Sequence, residues 1–271
     1  MDRTLFTPPM IETFRACRRA YKFAFLSGDR AAVQTSLSSL CKRFVLKALA
    51  EIHRCRLNNV PQVQKFLGQH WPSQRIATND DPAAQERCIQ MFRFVYRLLT
   101  RYIMCPYKPE GAEMGAVNLK MRARVPHSKV YLEDTFDLIL WHPDKKQLEL
   151  VDFHLHALKP FDPAWPAPSL LVRHFLAQRL KARWPFESLL FTFCRLQVDN
   201  MSIASIELAD SLVSLHWPEL MRTIEEMNAE QEFAAHRSQL CKRCDFLSEC
   251  LSMEQSDGVV PAEPTTVSRS A

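Results

Sequence analysis

The sequence predicts an α/β domain, and changes of hydrophobic period carry that expectation. Apolar residues recur at three- and four-residue steps over much of residues 9–104, alternate strictly with polar ones from Val117 to Val125, and return to helical spacing after two further strands. The 271 residues are 47% hydrophobic and 24% charged, so the chain can bury a sizeable core. It reads as one domain over 1–250, with a polar tail over 251–271 expected to be disordered.

Residues 9–26 predict a helix entered through a proline pair, with Phe14, Cys17, Tyr21 and Phe25 on one stripe. A second helix is expected over 36–55, through Leu40, Phe44, Ala48 and Ile52, and a third over 82–104. Val117, Leu119, Met121, Ala123 and Val125 then read as the buried face of a strand whose outer face is Asn118, Lys120, Arg122 and Arg124. Strands follow over 130–141 and 147–156, joined by a turn-forming His142-Pro-Asp-Lys-Lys. A helix over 168–183, a strand over 188–197 and a helix over 218–235 complete the pattern.

Composition excludes several function classes. Five glycines, far below the usual ~7% of residues, come with no G-x-G-x-x-G and no phosphate-loop pattern, so nucleotide folds built on glycine-rich loops are out. No run reaches the roughly 18–20 apolar residues of a membrane span, and the opening residues lack a secretory signal. A cytoplasmic protein with no membrane partner is expected. Net charge is +5, which suits a nucleic-acid partner without demanding one.

Nine cysteines without an export signal argue against a disulfide framework. Cys41, Cys55, Cys88 and Cys194 lie among apolar residues and are expected to pack as small hydrophobes. Cys241-x2-Cys244-x5-Cys250 is spaced for soft-metal ligation, because thiolates favour zinc and iron–sulfur clusters. Four thiolates are the usual set, and Cys17, among Arg15, Arg18, Arg19 and Lys22, is the best candidate for the fourth. The plain alternative is four ordinary thiols.

A second constellation lies on the strand pair. Asp137 shares a face with Ile139 and Trp141, and Asp152 shares one with Leu148, Leu150, His154 and His156. Two carboxylates on adjacent strands suit a divalent ion with oxygen ligands; the plain alternative is that each has its own polar partner.

These features together resemble the iron–sulfur branch of the PD-(D/E)XK nucleases, which includes AddB-type nuclease domains and RecB-like CRISPR-associated exonucleases. The opening PPMIETFRACRRAYKF is similar to that branch's S-x-I-x-x-F-x-x-C-P-x-x-Y-x-F, with Arg18 in the proline position. The resemblance covers about residues 8–250 and implies an αβββαβ core with added helices and a cysteine cluster joining the chain ends. It implies a [4Fe-4S] cluster on Cys17, Cys241, Cys244 and Cys250. Asp137 and Asp152 match the family's two metal-binding acids, which would hold Mg2+ or Mn2+ and activate water for phosphodiester hydrolysis.

Three parts of the family's active-site pattern are departed from. His154 stands where a lysine is usual, Leu170 and His174 align with Q-x-x-x-Y, and Arg43 lies near the place of an upstream histidine. A largely neutral histidine supplies less fixed charge to a transition state than lysine does. The expected catalytic set is therefore Asp137, Asp152 and His154 in a weakened or lost site. The implied role is DNA binding or processing in repair, recombination or defence, alongside a helicase or nuclease partner. An active metal-dependent deoxyribonuclease and a structural zinc protein without a nucleic-acid role remain as alternatives. Arg93 and Arg97, with Lys120, Arg122 and Arg124, are the candidate DNA-backbone contacts, or else simply solvated faces.

Overall fold

A computed structural model describes residues 4–27, 37–71, 82–155 and 167–256. Among these residues a mixed sheet of six strands runs in the order β1-β3-β4-β5-β6, with β2 paired to β3. The strands are β1 (Leu5–Phe6), β2 (Glu113–Arg124), β3 (Tyr131–His142), β4 (Gln147–His154), β5 (Ser188–Leu196) and β6 (Met201–Glu207). β4 and β5 are parallel, and the helix between them, α6 (Pro168–Ala177), makes the crossover that parallel neighbours require.

Helices cover both faces. α1 (Pro8–Ala16), α2 (Arg18–Tyr21), α6 and α7 (Asp210–Ala229) bury one face of the sheet, around Ile11, Phe14, Phe136, Leu150, Phe191 and Ile224. α3 (Leu37–His53), α4 (Val60–His70) and α5 (Pro82–Met104) cover the other, around Val45, Leu67, Leu98, Leu138, Val151 and Cys194. A final helix, α8, spans Leu247–Ser256.

Several expectations change. The first helix is broken at Cys17, whose extended backbone (φ −163°, ψ 116°) separates α1 from α2, and the chain continues as a π-helical turn at Lys22–Leu26. α4 was not legible in the sequence; Asn59 caps it by accepting from the Gln62 amide at 3.0 Å, and Pro61 sits in its first turn. β6 was also missed: Ser202, Ala204 and Ser205 give it no clean alternation. α7 begins at Asp210 and carries Pro218 inside it, where a helix start was expected. α8 extends six residues into the segment expected to be disordered, and 257–271 lie outside the described residues. Cys55 is exposed just past α3 at φ 59°, a left-handed helix-end position and no core site.

β2 does not alternate strictly. Val117 and its partner Leu138 pack into the α3–α5 core, whereas Leu119 and its partner Phe136 pack into the opposite one. Asn118, at φ 53°, lies between these pairs across from Asp137, so both strands exchange faces at that point.

Candidate functional site

The face exchange opens a fork between β3 and β4. Their ladder runs from His142–Gln147 to Leu138–Val151 and stops there, while β4 stays paired to β5 as far as His154. Asp137 takes the next ladder position with its side chain, its Oδ2 accepting from the Phe153 amide at 3.0 Å. The fork holds a cavity of about 460 Å³ lined by Asp134, Asp137, Asp152 and His154 from the strands and by Arg173 from α6. Ligands in open α/β sheets commonly bind in such crevices at strand ends.

Asp137 and Asp152 thus line one cleft. Burial lifts the Asp137 carboxyl above the usual carboxylate range, against the pull of the Phe153 amide, Arg173 and Lys42. Asp152 is 9% exposed and is ion-paired to Arg173 Nη1, while Arg173 Nε donates to Asp134 Oδ2 at 2.6 Å. A guanidinium therefore stands between two carboxylates, on oxygens that a divalent ion would need. With Arg173 so placed, these acids do not fit such an ion.

His154 also lines the cleft, and its ring lies 5.9 Å from that of Phe193. In register it neighbours Arg195 on β5. His174 points elsewhere: it is buried, bonded to Asp210 Oδ1 at 2.9 Å, and burial holds its pKa below the ordinary value despite that carboxylate. His156 lies outside the described residues.

The N-terminal helices meet the C-terminal segment along a second line of contacts. Arg18 pairs with Glu230 at 2.5 Å, and the Tyr21 ring stacks on Phe233 at 6.3 Å. The His236 amide donates to Cys17 Sγ at 3.5 Å, and Cys241 Sγ lies 3.9 Å from the His236 carbonyl. Burial raises the Cys244 thiol pKa, against the pull of the Phe246 amide, and Cys17, Cys241 and Cys250 each raise it further, so Cys244 is within electrostatic reach of the other three. Arg19 Nη1 is 4.0 Å from Cys250 Sγ. Two backbone amides, those of His236 and Ser238, are thus aimed at the sulfurs of Cys17 and Cys241. Among the described residues no three His, Cys, Asp or Glu side chains stand close enough to hold one metal ion.

No protein-family model matches the chain, and no curated protein sequence matches it. Its structure is similar to that of a candidate exonuclease from Eubacterium rectale, with a TM-score of 0.50 at 12% identity, over 96% of this chain and 90% of that one. The fold is nuclease-like. SSO0001 is a weaker likeness, with a TM-score of 0.33 and 13% identity over 80% of this chain and 98% of that one.

On this nuclease-like fold the basic candidates are spread over two edges. Arg97 lies 4.0 Å from Asp199, between β5 and β6, and Arg93 is exposed one turn earlier on α5. Lys120, Arg122 and Arg124 lie on the β2 edge. There Lys120 pairs with Glu133 at 2.8 Å, Arg122 covers the Tyr131 ring at 4.5 Å, and Arg124 donates to the Ser128 carbonyl at 2.7 Å. The cations nearest the cleft are instead Lys42, Arg43, Lys47 and Arg54, from α3 and the residue after it.

Sequence reading missed Arg173 and Asp134. Asp134 shares the phase of Leu132 and Phe136, a signal that was present; Arg173 was passed over because its neighbour His174 aligns with the resembled family's Q-x-x-x-Y. Among the described residues no helix is long and apolar enough to cross a membrane.

Proposed function

We infer that the chain is a DNA-binding protein built on a nuclease-like fold whose hydrolytic site is silenced from within. The observation that carries this reading is the Arg173 guanidinium between Asp134 and Asp152. Metal-assisted phosphodiester hydrolysis needs carboxylates free to hold a cation that polarises the phosphate and lowers the pKa of bound water. Here an internal cation already pairs with two of the three carboxylates in the cleft, and His154 stands where the resembled family has a lysine. On this reading Cys17, Cys241, Cys244 and Cys250 hold a [4Fe-4S] cluster that ties the chain ends together, a structural task compatible with a silent site. Such a protein would act beside a helicase or an active nuclease in repair, recombination or defence.

Cleavage assays on single- and double-stranded DNA with Mg2+ or Mn2+ test this. No turnover above an Asp152→Ala control is expected. Brisk metal-dependent cleavage abolished by that substitution would establish an active deoxyribonuclease instead.

A further inference from the structure

We propose that the fork between β3 and β4 is a metal-independent phosphate site, in which α3 and Arg173 hold a nucleic-acid phosphate directly on their side chains. This rests on the reading that the cleft receives nucleic acid, and it specifies which group is held and by what.

Charge balance is the first support. Among the described residues lining the cavity, five cations (Lys42, Arg43, Lys47, Arg54 and Arg173) face three carboxylates (Asp134, Asp137 and Asp152). A divalent-ion site has the opposite balance. The carboxylates are also occupied: Asp134 and Asp152 by Arg173, Asp137 by the Phe153 amide. An entering phosphate therefore meets few unsatisfied acceptors.

Three of the cations, Lys42, Arg43 and Lys47, are by contrast available. Arg43, Leu46, Lys47, Ala50 and Arg54 follow three- and four-residue steps, so one face of α3 forms the wall. Arg54 is engaged with Glu51 at 2.9 Å and the Val117 carbonyl at 3.2 Å. Lys47 lies 5.7 Å from the centre of the Phe66 ring, a contact that leaves its ammonium able to donate. Lys42 and Arg43 are exposed, and among the described residues neither is ion-paired to a carboxylate. Phosphate takes charge-assisted bonds from such groups readily, arginine presenting a fork and lysine a point charge. A cavity of about 460 Å³ suits a nucleotide or a strand end and is too small for a duplex.

The test is fluorescence anisotropy with a labelled short oligothymidine, with or without a 5′-phosphate, in EDTA and in Mg2+. Binding is expected in EDTA, with no gain from Mg2+. Neutralising Lys42, Arg43 and Lys47 to Ala together should weaken it at least about tenfold and lower the salt slope by about 2, near 0.7 per lost contact on a single strand. Replacing Lys145 and Lys146 by Ala, at the far end of β4, should change nothing. Preference for the phosphorylated strand would mark a terminal phosphate, and equal binding an internal one. Binding that EDTA abolishes overturns the proposal even if the triple variant fails to fold, as does a folded triple variant binding like wild type. Cleavage in Mg2+ would sink the silent-site reading separately, leaving the EDTA result to judge this one.

Discussion

Arg173 Nε donates to Asp134 Oδ2 across 2.6 Å, and the same guanidinium is ion-paired to Asp152, so one side chain of α6 bridges the fork between β3 and β4. All three side chains are largely buried, at 15%, 15% and 12% exposure. The low dielectric strengthens their attraction and makes either carboxylate costly to leave alone.

Arg173→Ala should therefore destabilise the protein by about 3 kcal/mol, because it strands two partly buried carboxylates. The vacated oxygens then suit a divalent ion, and a cation that binds only the folded state raises its stability. Thermal melts with and without Mn2+ are the measurement. A rise in Tm with Mn2+ is expected for Arg173→Ala and none for wild type; a wild-type rise of equal size would mean that Arg173 does not block the acids.

How much of this was legible follows from where periodicity holds. α3 and α5 were readable because a single buried face imposes period 3.6 on each, and β3, β4 and β5, buried on both faces, because they are short apolar runs. Asp137 and Asp152 stood out as one carboxylate on each of two adjacent apolar strands. The face exchange at Asn118 was not readable, since a positive φ at a non-glycine residue leaves no mark in the hydrophobic pattern. Arg173 was lost for a different reason. On a helix buried along Leu170, Leu171, Val172, His174 and Leu176, one residue of rotational error exchanges the cleft residue for its neighbour.

Acid should destabilise the protein through His53. Burial lowers its pKa to about 4, and its Nε2 lies 2.7 Å from the Tyr102 hydroxyl. The unfolded histidine takes its proton near pH ~6.5, so between these values the unfolded state binds more protons than the native one. Stability is then complete above about pH 6.5 and falls as pH drops towards 4, by up to about 3 kcal/mol. His174, lowered in the same direction by burial, adds to the slope. Urea denaturation across this range should show a decline that His53→Gln reduces; an unchanged slope would remove His53 as its source.

A second buried network holds β3 to β4 at the end away from the fork. Glu149, 1% exposed, is 2.7 Å from His142 Nε2 and accepts from the Tyr107 hydroxyl at 2.6 Å. Burial, then Glu149, pushes the Tyr107 phenol well above its usual pKa, so it remains a donor at any physiological pH. Tyr107→Phe should cost about 2 kcal/mol by depriving a buried acceptor of one of its partners. Equilibrium denaturation measures this, and a cost indistinguishable from zero would mean that the carboxylate has found another partner.

Cys241→Ser offers a clean test of the chain-end thiols, because the Ser238 amide lies 3.4 Å from Cys241 Sγ and a serine oxygen can still accept from it. Ser238 itself caps the short helix at Gln239–Arg243 by accepting from the Leu240 amide at 3.2 Å, an interaction the substitution leaves alone. What Cys241→Ser removes is the sulfur. If a cluster joins Cys17 to Cys241, Cys244 and Cys250, its binding energy is folding energy. Wild-type protein loaded anaerobically with iron and sulfide should then gain visible absorption and melt well above the chelated form. Cys241→Ser should gain neither, while Cys55→Ser, at an exposed thiol just past α3, should behave as wild type. Zinc raising the melting temperature where iron and sulfide do not would assign the four thiols to a single ion, and indifference to both would leave them as ordinary thiols packed where the chain ends meet.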